Sequence, residues 1–107
     1  MAETVKALND AEIEYMIKRK DLTAPRLDQA YINSKIADVN FHVFPTTQLT
    51  VCCLTLENGF TVTGESACVS PTNFDAELGR GIALKNAKDK IWLLEGYLLK
   101  QKLFEGV

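Results

Sequence analysis

The stretch 49-LTVCCLTLENGFTVTGESACV-69 decides the fold. Leu49 to Leu56 and Phe60 to Ser66 are rich in Val, Thr, Leu and Phe and flank Asn58-Gly59, the pair best suited to a type I′ turn because both turn positions need positive φ. The stretch therefore predicts a β-hairpin. With Asn58 and Gly59 as the loop, Glu57 faces Phe60, Thr55 faces Val62, Cys53 faces Gly64 and Val51 faces Ser66. That face also carries Leu49. The opposite face holds Cys52, Leu54 and Leu56 with Thr61, Thr63 and Glu65, too apolar a mixture to be simply wet, and is expected to be partly covered, another subunit being one candidate cover.

Upstream, Val39, Phe41 and Val43 alternate with Asn40, His42 and Phe44 before Pro45, which predicts another strand. The first third predicts two short helices. Asn9 with Glu12 three residues on forms a capping box for a helix through Ile13, Tyr15, Met16 and Ile17 that ends in the polar run Lys18 to Asp21. Thr23 is the expected cap of the second, with Pro25 tolerated in its first turn and Leu27, Ala30 and Tyr31 at helical spacing.

Downstream, Ser70 to Asn73 is a turn, and Asn73 or Asp75 caps a long helix beginning near Phe74. At 100° per residue Ala83, Leu84, Ala87, Ile91, Leu94 and Leu98 fall in one sector of about 100°, the expected core stripe. Trp92, Leu93, Leu99, Leu103 and Phe104 project from other sides. A helix apolar nearly all round must be buried on more than one side, so the late part of this helix is expected in a homo-oligomer interface. Gly96 is expected to be either a site of close helix approach or a break.

The fold class expected is α+β in one domain, 1–107: short helices over 1–38, an antiparallel sheet over 39–69 and a long helix over 73–104. The chain of 107 residues is 47% hydrophobic and 24% charged. That length and composition suit a single core. A net charge of -2 gives no general basic field, so neither DNA nor RNA duplex is an expected partner. No apolar run reaches the roughly 18 residues of a membrane span, and residues 1–10 do not read as a signal peptide, so a cytosolic protein without a membrane partner is expected. Cys52, Cys53 and Cys68 are expected as small buried hydrophobes in a reducing compartment.

Chemistry-bearing motifs are sparse. His42 is the single histidine, so no His-rich metal site arises within a protomer. Serines 34, 66 and 70 lack the glycines of a nucleophile elbow, and Gly79-Arg80-Gly81 lacks the Lys-Ser/Thr of a phosphate loop. The acidic pairs Asp10 with Glu12 and Asp75 with Glu77 sit at helix starts, where capping and the macrodipole explain them. No catalytic residue, cofactor or metal is expected. What remains suits a small anion with a base attached. Phe74 lies at the start of the long helix, where free N–H groups favour negative charge. Arg80 projects near the core stripe, costly for a cation without a partner, or snorkels. Asn86 and Lys90, four residues apart, either read a base and a phosphate or form a solvated face.

The run Cys53 to Val69, then Asn73-Phe74-Asp75, Asn86-Ala87, Ile91-Trp92 and Leu94-Glu95-Gly96-Tyr97-Leu98-Leu99, resembles the phage "gene product 49/66" family of small phage proteins over about Phe41 to Leu103. Motifs such as NGF-V-GESACV and IW-LEGYLL occur in order. The resemblance extends to the first type of anti-Thoeris sponge, which implies a non-enzymatic protein that holds a cyclic ADP-ribose isomer or related cyclic nucleotide made by bacterial TIR immune enzymes. It places the protein in the host bacterial cytoplasm, and the apolar helix makes it a homo-oligomer, a dimer or an assembly of dimers. Asn73, Phe74 and Asn86 match the family pattern. On this reading Phe74 stacks the adenine, Arg80 and Lys90 meet phosphate, Asn86 bonds base or ribose, and Lys100 and Lys102 reach the ligand from a neighbouring subunit. The rivals are direct inhibition of a host protein through the exposed hairpin, and an enzyme that converts its ligand.

Overall fold

The computed structural model describes residues 7–22 and 24–106. Helix α1 (Asp10–Arg19) starts at the expected capping box: the Asn9 side chain accepts the Glu12 N–H at 2.8 Å and Glu12 accepts the Asn9 N–H at 3.1 Å. Helix α2 (Gln29–Ser34) starts later than expected. Its cap is Asp28, whose carboxylate accepts the Tyr31 N–H at 2.8 Å, and Pro25 lies in a bend before it. The anticipated cap Thr23 lies outside the described residues. Arg26 explains the delay, since its guanidinium bonds Glu14 at 2.7 Å and Leu27 O at 3.3 Å and so ties this segment to α1.

Three strands follow, β1 (Ile36–Val43), β2 (Leu49–Leu56) and β3 (Thr61–Ala67), in one antiparallel sheet of order β1-β2-β3. The hairpin is where the sequence places it, but its register is one residue off the expected one. Leu54 pairs with Val62, Cys52 with Gly64 and Thr50 with Ser66. The loop is the three residues Glu57-Asn58-Gly59, closed by Leu56 N–H to Phe60 O at 2.8 Å and Gly59 N–H to Leu56 O at 2.9 Å. Only Gly59 takes positive φ (87°), the pattern of a type I turn with a bulge glycine rather than type I′. Two bonds favour the wider loop: Asn58 Oδ1 accepts the Phe60 N–H at 3.0 Å, and Glu57 N–H reaches Lys35 O at 3.0 Å, extending the β1–β2 ladder.

Because side chains alternate, a slip of one residue regroups both faces. Cys52, Leu54 and Leu56 join Val62 and Gly64 on the buried face, so these three residues, expected to be partly covered, belong to the protein's own core. Leu49, Val51, Cys53 and Thr55 share the outer face with Thr61, Thr63 and Glu65.

A 3-10 turn (Pro71–Asn73) leads to α3 (Ala76–Glu105), capped by Asp75, whose side chain accepts the Leu78 N–H at 2.9 Å. The helix runs unbroken through Gly96 and stops at Gly106, whose φ of 76° suits glycine. A Cβ at Gly96 would meet only Leu27, in ordinary contact, so this glycine does not mark a break, and no close approach within the protomer requires it. Helix α3 lies on β2 and β3. Its contact with β3 is close because Gly64 has no side chain: a Cβ there would overlap backbone atoms of Ala83 and Ala87.

The core is Ile32, Cys52, Leu54, Leu56, Val62, Ala83, Ala87 and Ile91, with Leu27, Ile36, Leu84 and Trp92 packed against it. The predicted stripe is therefore buried only in its first half. Leu94 and Leu98 are 43% and 46% exposed. Length explains this. Helix α3 has 30 residues and is about 45 Å long. Strand β2, of eight residues, is only about 27 Å long. The late helix overhangs its own sheet. Strand β1 is likewise uncovered; Val39, Phe41 and Val43 share the buried face with Leu54, Cys52 and Thr50, yet each is 39% exposed because α3 does not reach them.

Candidate functional site

The start of α3 forms a small cavity of about 80 Å³, where Asn73, Phe74, Asp75 and Leu78 meet Gln48, Ser66 and Cys68. Pro71 in the 3-10 turn and the Asp75 cap fix the chain here, so Phe74 is half-buried while Asn73 stays exposed. From this cavity Leu78, Ile82, Asn86 and Lys90 follow at every fourth residue, each about 40° further round α3, so that Lys90 stands about 120° from Leu78. Asn86 anchors the helix to the outer edge of β3 by donating from Nδ2 to Glu65 O at 2.8 Å. Its amide donor is thus committed to the fold, and its amide oxygen has no protein hydrogen bond among the described residues.

Lys90 is exposed and makes no ion pair among the described residues. Arg80 is exposed too and points to a different flank, about 120° around the helix from Asn86. Lys100 and Lys102 are exposed on the overhang, and Lys102 borders a cavity of about 140 Å³ with Arg26, Leu27 and Tyr31. Along the helix axis Lys100 stands roughly 39 Å from Phe74. One protomer brings Asn73 and Phe74 together at the start of α3 and, separately, Asn86 and Lys90 one turn apart roughly 15 Å or more further along the helix, and leaves Arg80, Lys100 and Lys102 elsewhere.

Sequence reasoning missed Thr50. It is fully buried, and its Oγ1 is a buried side-chain polar atom without a hydrogen-bond partner. It lies beneath Gly79, whose added Cβ would stand 3.1 Å from Oγ1. The signal was present in the alternation of β2, but the one-residue register difference turned Thr50 outward on paper. Also missed was the crevice between α1, α2 and α3, which borders Trp92.

The three cysteines are free. Burial raises the Cys52 thiol above its ordinary pKa, the neighbouring Cys53 adds to this, and Lys88 opposes it, as desolvation and nearby charge require. No group of three or more His, Cys, Asp or Glu side chains placed to hold a metal occurs among the described residues. No helix among them is long and apolar enough to cross a membrane.

The family model that matches the chain is that of the Phage protein (N4 Gp49/phage Sf6 gene 66) family, over residues 27–103. No curated protein and no solved structure matches it.

Proposed function

The chain belongs to this family of phage proteins, and from that premise we propose that it is a non-enzymatic sponge, acting in the host bacterial cytoplasm, that sequesters a cyclic ADP-ribose-type messenger of bacterial TIR immune enzymes. The observation that carries the reading is a pair of half-sites on α3: a half-buried aromatic at its start, Phe74, and an amide oxygen with an unpaired ammonium one turn apart, Asn86 and Lys90, roughly 15 Å or more further along the helix. These groups suit, in order, a base to stack, a base or ribose hydroxyl to bond, and a phosphate to neutralise.

The cavity at Phe74, about 80 Å³, is too small for such a ligand, since ligand pockets span about 300 Å³ or more. The sponge reading therefore includes a second copy that closes the site. Surface area supports that copy. The accessible surface is 8186 Å². A compact monomer of this mass would expose about 6000 Å². The radius of gyration is 17.2 Å. A compact chain of this length would have roughly 13 Å. The excess area is of the order that a stable interface buries. Its apolar parts are Val39, Phe41 and Val43 on β1 and Leu94, Leu98 and Phe104 on the overhang. Closure of this kind also gives Lys100 and Lys102 a route to a partner's ligand.

The test is to incubate the protein with products of an activated TIR enzyme, remove the protein, denature it by heat and weigh what it releases by mass spectrometry. Intact messenger leaving solution with the protein supports sequestration. Messenger left in solution sinks it, and an altered nucleotide favours catalysis. Light scattering on the same sample gives the number of subunits.

A second reading, direct inhibition of a host protein, is favoured by the free edge of β1. The bond from Phe44 N–H to Leu49 O sets the alternation so that Val39, Phe41 and Val43 turn their backbone groups outward, and of their N–H groups only that of Val39 is capped among the described residues, by Asp38 Oδ1 at 2.9 Å. Such an edge is a template for another strand. A monomer that leaves the messenger in solution yet pulls down one host protein, and loses it on Phe41→Lys substitution, fits that reading.

A further inference from the structure

Two adjoining chambers of about 250 and 320 Å³ lie where α1 and α2 face α3, sharing Asp10, Gln29, Asp89 and Trp92 as walls. The larger is apolar on one side, with Ile13, Ile17 and Leu27 facing the Trp92 ring. The smaller is bordered by Gly81, and this glycine differs from those at close contacts in the fold. Gly64 and Gly79 are required by close neighbours, whereas a Cβ at Gly81 would meet nothing within 4 Å. Glycine is among the poorest residues for a helix interior, so its presence here has no packing reason. Its effect is to keep the chamber open.

The charges of the crevice are nearly all matched. Arg26 engages Glu14 at 2.7 Å, and Lys85 engages Asp89 at 3.3 Å. Among the described residues that border it, Asp10 and Lys88 have no ionic partner, one of each sign beside an aromatic wall. We propose that this crevice binds a small zwitterion with a flat apolar body, of the aromatic amino-acid class. Asp10 takes the ammonium, Lys88 the carboxylate, and the ring lies against Trp92 between Ile13 and Leu27. Helix α1 buries none of its residues, so this wall can yield to admit the ligand. The site is separate from the flank of Phe74 and does not rest on the sponge reading.

Trp92 is the single tryptophan of the chain, so its emission reports on the crevice directly. The intact protein is titrated with phenylalanine, with phenyllactate, which lacks the ammonium, and with phenethylamine, which lacks the carboxylate. Phenylalanine is expected to change the emission saturably in the millimolar range, with each incomplete probe weaker by about tenfold. Gly81→Leu, folded by circular dichroism, is expected to weaken phenylalanine by at least about tenfold. Asp10→Asn, an exposed change that leaves the core intact, is expected to bring phenylalanine down to the level of phenyllactate. The proposal is overturned by the absence of a saturable change, by equal binding of all three probes, or by unchanged phenylalanine binding in Asp10→Asn.

Discussion

Gly64 of β3 stands directly against the backbone of Ala87 on α3, with no room between them for a single methyl group. This approach lets α3 sink onto the hairpin and bury Ala83, Ala87 and Ile91. None of the obstacles is a side chain that can turn away, because the atoms met, from Ala83, Asn86 and Ala87, are all backbone. Gly64→Ala is expected to cost about 3 kcal/mol or more, as overpacking without relief does. A urea midpoint within error of the parent protein would refute the approach.

Thr50 gives the opposite expectation. Its buried hydroxyl has no partner, and a valine keeps the shape without the unmet polar atom. Thr50→Val is expected to stabilise the fold by about 1 kcal/mol, with unchanged denaturant slope. A lower midpoint would mean that the hydroxyl is satisfied in solution.

Asn86 carries a structural duty beside its proposed ligand contact, its bond to Glu65 O. Asn86→Ala removes that bond and is expected to lower stability by about 1 kcal/mol even without ligand. If stability holds while messenger capture is lost, the side chain serves the ligand alone.

Cys52 sets an alkaline limit. Its pKa is raised in the folded state, so the native protein holds this proton more tightly than the unfolded chain does. Stability is therefore full below the ordinary thiol range and falls as pH rises from there toward the folded value. Lys35, raised chiefly by Tyr31, over whose ring its ammonium lies at 4.8 Å from the centroid, acts in the same direction at higher pH. Urea midpoints from neutral to alkaline pH check this, and a flat profile would contradict it. At neutral pH iodoacetamide is expected to label Cys53 and Cys68 before the buried Cys52, as peptide mass spectrometry would read.

Helix α1 is held by its apolar side and by the Glu14–Arg26 pair, both partners about one third exposed. Such pairs are worth about 1 kcal/mol or less. Glu14→Gln is expected to speed amide exchange in Asp10–Arg19 while leaving the global midpoint within about 0.5 kcal/mol. Unchanged exchange there would show that the apolar contacts alone hold the helix.

Much of this architecture is legible in the residues. The capping box at Asn9, the hairpin at Asn58-Gly59, the cap at Asp75 and the helical stripe from Ala83 to Ile91 are local signals, written in spacings of two to four residues, and local backbone energetics suffice to read them. The pairing of Asn86 with Lys90, four residues apart, is equally local. What only the tertiary structure decided is non-local. The hairpin register turned on a loop wider by one residue, held by Asn58 and by the bond from Glu57 to Lys35, and that slip determined which face of β2 became the core. The delayed start of α2 came with Arg26 turning back to Glu14 of α1. The depth of the α3 seat rests on Gly64, a residue whose meaning appears only when Ala87 lies above it. Sequence spacing determines which side chains share a face; only the packed chain decides which face is covered and where the cover ends.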